Sequence, residues 1–515
     1  MVKNPAIIGK RKTRVSQSQI VLVGTEEAYN TLLTATTQNN PWTTAVCILG
    51  NQSMTTSLLT VNYGFRLTQL LILLPQLIGL LPCSTASDIH IPNVTLTNLV
   101  MGSCHNDRKV HVPYPDNIWD SIQKENPDVF VWMGDAVYPA QRKVANLTYM
   151  KQLFDNMQHN TTIGYQQLQT AHGVFGTWDD HDFGANDAGR ETPEKRERAG
   201  LYYDFLNFPK GTPTDHLRTR RGLYYSVTLG GDDDDERQRR QVKLIFLDTR
   251  WHRARHCWPS LATHMPLGAG IAAFTRWVLA GFHVHYWWPL WDCVHAPVLG
   301  SEQWTWLESE LLNSSAAVHV VVSSIQVMTT NPTVESWGQF PSEQRRLLKL
   351  LGEGISGLFV VSGDVHHAEI LDPLAASGTG KHHHDHPKHS FLEITSSGMT
   401  HYCSQPFYGR LCEPLLNHYN QNRHVNNSNY YIGKNYGKME IDWEQQQAEI
   451  LVKNEHGETV LRTGPRPFEQ DILTQDDVDA VATCIDGHMI KPFVQILVAI
   501  FAVFIVLIRR IRNVK

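Results

Sequence analysis

Cys104, Asp135, Tyr138, Asn186, Asp364 and His366 are the side chains whose types and spacing in this sequence could hold metal ions. A thiolate, a phenolate and an imidazole together suit a ferric or similarly strong Lewis-acid centre, whereas amide and carboxylate oxygens are donors that calcium accepts. Asp135 follows Gly134, and a carboxylate with two oxygens on a tight glycine turn is the natural bridge between cations. Tyr138, three residues on, can return to the same ion. Metal-assisted phosphoryl transfer needs such a set: a bridging carboxylate, further ligands for each ion, and an open position for water.

The elements that must position these groups are short apolar runs. Leu99 to Met101 runs into Gly102-Ser103-Cys104-His105, and Val129 to Met133 into Gly134-Asp135-Ala136-Val137-Tyr138. Val174 to Trp178 runs into Asp179-Asp180-His181-Asp182, and Leu358 to Val361 into Ser362-Gly363-Asp364-Val365-His366-His367. Four predicted strands thus each deliver a ligand-grade side chain at the carboxyl end, the edge of an α/β sheet where ligands collect. Two more, Val242 to Leu247 and Val318 to Val322, fit the same sheet system, and Ser301 to Asn313 reads as an amphipathic helix. The pattern is that of an α/β or layered αββα domain rather than a helical bundle.

Taken singly, each motif reads as ordinary structure: Gly-Asp as a turn, a buried cysteine as core, Asp-Val-His as coincidence. Their conjunction at four strand ends is what carries weight. Those residues resemble the PhoD-like alkaline phosphatases and phosphodiesterases of the calcineurin-like metallophosphoesterase fold. The resemblance covers roughly Leu99 to Ser397 and rests on Ser103-Cys104, Gly134-Asp135 with Tyr138, Trp178-Asp179-Asp180-His181-Asp182 with Asn186-Asp187, Leu247-Asp248-Thr249-Arg250, Gly300-Ser301-Glu302-Gln303-Trp304 and Ser362-Gly363-Asp364-Val365-His366. It implies a four-layer αββα domain, iron (Fe3+) at the counterparts of Cys104, Asp135, Tyr138 and His366, calcium (Ca2+) near Asp135, Asn186 and Asp364, and a phosphate ester as substrate. An N-terminal β-domain of bacterial members has no counterpart between the expected cleavage point and the first strand, and the apolar stretch 258–299 sits where the family has a short connection.

By that resemblance and the chemistry above, the expected reaction is in-line attack of a metal-bound water or hydroxide on phosphorus. Asp180, His181 and Arg250 are the expected catalytic residues. Arg250 has two readings, a clamp on two phosphate oxygens or a salt bridge fixing the strand end. His181 likewise either protonates the leaving group or orients Asp180 or a ligand.

Composition bounds the alternatives. A net charge of -5 with scattered basic residues gives no electrostatic footprint for nucleic acid. At 515 residues the chain can hold one large catalytic domain. Pro492 to Ile508 is an uncharged apolar run followed by Arg509, Arg510 and Arg512. Seventeen residues at helical rise reach roughly 26 Å, about enough to cross a hydrocarbon core, and the basic tail marks the cytosolic side. Leu67 to Leu81, preceded by Arg66 and followed by Pro82-Cys83-Ser84-Thr85-Ala86, reads as a signal peptide started at Met54 and cleaved after Ala86. Glycosylation tripeptides stand at Asn93, Asn146, Asn160, Asn313 and Asn426. Cys403 with Cys412 and Cys257 with Cys293 are the expected disulfides.

The expected organisation is therefore a polar extension over 1–53, a signal region over 54–86, a lumenal or extracellular domain over 87–488 with an insertion at 258–299, a transmembrane helix over 489–508 and a cytosolic tail over 509–515. That is a single-pass type I protein of the secretory pathway or cell surface, attached to the membrane by one C-terminal helix. The insertion, with its run Phe282-His283-Val284-His285-Tyr286-Trp287-Trp288, reads as a lid, a membrane-contacting hairpin, or sequence not normally spliced in. The acidic run Asp232 to Asp235 reads as a solvated loop, and the five histidines of Lys381 to His389 as a mobile surface loop. Two rivals to a phosphatase remain: a non-catalytic membrane receptor on the same scaffold, and a phosphodiesterase acting on membrane-linked lipid or glycan phosphates.

Overall fold

The computed structural model describes residues 88–482, apart from 93, 141–145, 209–212, 232–239, 257–267, 282–294, 378–387, 406–408 and 425–429, together with three strands near the N-terminus. Those three, β1 (Ser18–Val23), β2 (Leu32–Thr37) and β3 (Ala45–Ile48), form an antiparallel sheet within a unit of their own, Met1–Cys83. The expected signal segment, the acidic run, the histidine-rich run up to Pro387, Asn93, Asn426, Cys257, Cys293 and the C-terminal apolar run fall outside the described residues. Among the described residues no helix is long and apolar enough to cross a membrane.

The second unit, Ser84–Lys515, is built on two mixed sheets. In one, β5 (Asn98–Gly102), β6 (Val129–Met133) and β7 (Gly173–Thr177) run parallel, and β14 (Asn435–Asp442), β15 (Gln447–Asn454) and β16 (Thr459–Arg462) extend it antiparallel from β5. In the other, β9 (Val242–Phe246), β10 (Val318–Ser323), β11 (Leu358–Ser362) and β13 (Leu392–Ser396) are parallel. Its edges are β12 (Ala368–Leu371) beyond β13, and β8 (Tyr225–Leu229) with β4 (Ile89–Ile91) beyond β9.

Alternation along each strand decides which layer it feeds, because successive side chains point to opposite faces. Val242, Leu244 and Phe246 of β9 join Val131 and Met133 of β6 in one core between the sheets, where Phe246 lies 6.5 Å from Phe175 of β7. Ile245 and Leu247 join Trp304, Leu307 and Leu347 in a second core, under helices Ser301–Leu312 and Pro341–Leu351. Lys243, on that helix-facing side, is nearly buried and is neutralised by Glu310 at 2.7 Å. On the outer face of the first sheet Trp119 and Trp132 pack with ring centroids 5.6 Å apart, under helix Ile118–Lys124. The result is helices outside two facing sheets, the layered arrangement expected from the strand pattern. The six strands expected from sequence are present within one residue at each end, and the helix expected over Ser301 to Asn313 ends at Leu312.

Candidate metal centre

The carboxyl ends of β5, β6, β7 and β11 meet at one place, and the backbone there departs from ordinary conformations. Cys104, Asp135, Asp364 and His366 have φ of 59°, 56°, 69° and 64°. A non-glycine residue at positive φ is uncommon and costs of order 1–3 kcal/mol where the surroundings impose it. Four of them at the ends of three strands identify the spot as one where side-chain direction has been favoured over backbone comfort. Gly134 (φ 91°) lies so close to Asp179 that a Cβ would collide with that residue's own Cβ. A Cβ on Gly363 would lie 2.5 Å from Met133 O and from Ser103 Oγ. Both glycines therefore let one ligand loop lie against the next.

Asp135 is the hub. Its Oδ2 accepts the Tyr138 hydroxyl at 2.7 Å and lies 3.8 Å from Cys104 Sγ, while its Oδ1 accepts the backbone N–H of His181 at 3.2 Å. Tyr138 Oη is in turn 3.3 Å from His366 Nε2. Donor atoms of Cys104, Asp135 and His366 lie within 4.8 Å of one another, and so do those of Asp135, Asp179, Asp180 and Asp364. Asp135 thus belongs both to a corner of sulfur, phenol and imidazole and to a corner of carboxylates.

The electrostatics call for cations. Burial first, and then the neighbouring carboxylates, push Asp135 and Asp364 well above the usual carboxylate range. Burial, with Asp135 adding to it, does the same to the Cys104 thiol and the Tyr138 phenol. Asp180 Oδ1 and Asp179 Oδ2 are buried and accept no hydrogen bond, an expensive state for carboxylate oxygens without a counter-charge. Metal ions would displace those protons and satisfy those oxygens, so the donors fit the group. Cys104, Tyr138 and His366 are suited to a strong Lewis acid, and Asp135, Asp180 and Asp364 to a harder cation.

The remaining expected residues are placed as follows. His181 is 19% exposed at the rim, its ring 4.1 Å from that of Tyr138 and its Nε2 3.9 Å from Asp180 Oδ1. Asn186 is half-buried in the same loop and makes no side-chain hydrogen bond to the cluster; its neighbour Asp187 donates its N–H to Asp180 Oδ2 at 2.6 Å. Arg250 is fully buried, with Nε 2.6 Å from Asp179 Oδ1 and Nη1 2.9 and 3.0 Å from the two oxygens of Glu335. The geometry shows the salt bridge of its two readings, to Asp179 and Glu335, while Nη2 is left without a hydrogen-bond partner. Of the glycosylation asparagines, Asn146 and Asn313 are exposed and Asn160 is half-buried, at helix ends.

Several residues were not anticipated. Asp179 closes the carboxylate corner, and burial raises its pKa to about 7 against the pull of Arg250. Ser397 Oγ lies 3.1 Å from Cys104 Sγ and accepts the His366 N–H at 3.0 Å; His401 stacks on His366 at 3.9 Å. Both follow β13, whose sequence Leu392-Glu393-Ile394-Thr395-Ser396 alternates apolar and polar residues and so lacks the apolar run that marks the other four loops. Glu335 has no such signal. Part of the insertion is docked beside the centre: on its helix Gly268–Gly281, Arg276 pairs with Asp187 at 2.9 Å and Trp277 Nε1 donates to Tyr419 Oη at 3.0 Å. The expected Cys403–Cys412 disulfide is present.

Residues 234–451 match the model of the PhoD-like phosphatase family. The chain is thus similar to the PhoD-like phosphatases, as its motifs indicate, and the matched stretch carries Asp364 and His366. The solved structure of PhoD aligns with 79% of this chain and 79% of its own at 15% identity, with a TM-score of 0.46. No curated protein matches the chain.

Proposed function

We propose that this protein hydrolyses phosphate esters at a metal centre organised by Asp135. The observation that carries the proposal is that one buried carboxylate joins two chemically different ligand sets. Cys104, Tyr138 and His366 would hold an iron ion together with Asp135, and Asp135, Asp180 and Asp364 would hold calcium, with Asn186 in the loop beside them. The bound ions supply an acidified water as nucleophile and positive charge for the ester oxygens.

The chain's own residues do the rest. The Tyr138 hydroxyl and the His181 N–H aim the two oxygens of Asp135, and an ion would take the place of the hydroxyl's proton. Ser397 holds both the thiol of Cys104 and the backbone of His366. Burial lowers the pKa of His181, keeping the imidazole neutral. Its Nε2 lies 3.9 Å from Asp180 Oδ1, beyond hydrogen-bonding reach, and its side chain is partly exposed at the rim of the site. The Cys403–Cys412 disulfide supports a lumenal or extracellular location, since such bonds persist in oxidising compartments.

The test is hydrolysis of a chromogenic phosphate monoester and the matching diester by full-length protein supplied with iron and calcium, beside Asp364→Asn. Activity that collapses in the variant is the expected result. A folded, metal-loaded parent inactive on both esters refutes the proposal and favours the receptor reading.

A further inference from the structure

Past β13 the chain lies along the two loops that carry Cys104 and His366. Ser397 Oγ is 3.1 Å from Cys104 Sγ and accepts the His366 N–H at 3.0 Å. Met399 donates its N–H to Ser103 O at 3.1 Å, and Thr400 and His401 donate theirs to Cys104 O at 3.2 and 3.1 Å. The Cys403 N–H reaches His366 O at 2.7 Å. The His401 ring lies over that of His366, with centroids 3.9 Å apart and 29° between the planes, and stands edge-on to Tyr138 at 5.2 Å. Residues 397–403 thus form a strap, and these contacts all go to Cys104, its neighbour Ser103, Tyr138 and His366, the sulfur, phenol and imidazole corner of the centre.

A strap holds its neighbours only if its far end is fixed. Here the disulfide fixes it, joining Cys403 to Cys412, which is buried on the helix Gly409–His418. One turn further along that helix, Leu416 O accepts a hydrogen bond from Arg423 Nη2 at 3.0 Å, and Arg423 is paired with the buried Glu369 at 2.9 Å. The fastening therefore runs from a buried ion pair through the helix and the disulfide to the backbone of His366. A cross-link confines the segments it joins, and groups that orient a metal ligand without touching the metal change affinity by about 10–100-fold. Taking the iron reading of this corner as its basis, we propose that the Cys403–Cys412 disulfide and His401 are positioning groups for the iron ligands. The disulfide fixes the strap, and the His401 ring fixes the plane of the His366 imidazole. Iron retention depends on both, and calcium retention on neither.

The experiment uses full-length protein supplied with iron and calcium. Both metals are titrated in the parent, in a double variant carrying Cys403→Ser and Cys412→Ser, in His401→Ala and in His401→Phe. The visible charge-transfer absorption of a ferric phenolate is followed as a second readout of the corner, and ester hydrolysis is measured alongside. The double variant and His401→Ala are expected to bind iron about tenfold or more weakly and to alter that absorption. Calcium binding and circular dichroism should stay at the parent's level, and His401→Phe, which keeps a flat ring over His366, should restore most of the iron binding. Unchanged iron affinity in either the double variant or His401→Ala overturns the assignment. So does loss of iron and calcium together, the mark of general unfolding, and so does failure of His401→Phe to rescue, which would make His401 a ligand rather than a brace. A parent that takes up no iron removes the iron reading and this assignment with it. A parent whose iron depends on the strap yet hydrolyses no ester refutes the phosphoesterase reading while leaving this assignment standing.

Discussion

Two buried charge clusters lie side by side in this protein and differ in their arithmetic. Around Glu335 the charges leave no carboxylate uncompensated: Arg250 at 2.9 Å, Arg253 at 3.1 Å and His256 at 3.4 Å surround one carboxylate. Burial opposes its ionisation, yet Arg250 and Arg253 hold Glu335 well below the usual carboxylate range. Around Asp135 they do not balance: four carboxylates share one small volume, and Arg250, through Asp179, is the cation paired with them at close range. A compensated cluster is a structural fastening. An unbalanced one, raised in pKa and carrying unsatisfied oxygens, is a site waiting for cations.

The contrast predicts opposite responses to equivalent substitutions. Glu335→Gln strands two buried guanidiniums and should cost about 3–5 kcal/mol, read by denaturant unfolding. Asp364→Asn in metal-free protein removes a buried carboxyl whose ionisation burial and its carboxylate neighbours already oppose, so stability should hold within about 1 kcal/mol. Equal losses in the two variants would erase the distinction.

A second compensated cluster sharpens the point. Glu369 is bonded by Arg423 at 2.9 Å and Gln326 at 2.8 Å, and its pKa is lowered to about 2 from 4.5 by His367 and Arg423, against burial. A depressed carboxylate pKa gives stability that is complete above pH 4.5 and lost as pH falls from there toward 2. At about 1.4 kcal/mol per unit the contribution is about 3 kcal/mol. Glu369→Gln should be less stable at neutral pH and show a flatter acid limb in that window; an unchanged limb would count against this.

Metal should act on the unbalanced cluster alone. Saturation at a hundredfold excess over Kd should add about 2.7 kcal/mol of stability, and uptake should release protons, seen as a buffer-dependent binding enthalpy. Glu335→Gln should leave that proton release in place. The smallest effect should come from Arg276→Ala: losing the tether on Asp187, whose N–H holds Asp180, should weaken metal binding about tenfold. Unaltered affinity would show the insertion helix to be a bystander.

Much of this was legible in the sequence because the ligand loops announce themselves twice, by an apolar run and by a Gly-Asp or Ser-Cys at its end. Ser397 and His401 lack that double mark, because Glu393 and Thr395 interrupt the apolar run before them and no Gly-Asp or Ser-Cys ends it. Arg250 shows the limit. A strand-end arginine near acidic groups suits a clamp or a brace equally, and its partner Glu335, 85 residues away, carries no local signal because only tertiary packing brings it close. The contact between Arg276 and Asp187 was hidden for the same reason, since apolar composition says nothing of where an insertion docks.

The most direct test of Asp135 as the shared carboxylate is metal content and ester hydrolysis measured together on full-length parent and Asp135→Asn after supply of iron and calcium. The account predicts that the parent retains both metals and hydrolyses the ester, and that the single substitution, with the fold intact by circular dichroism, removes both metals and the activity together. A variant that keeps either metal and its turnover would contradict it.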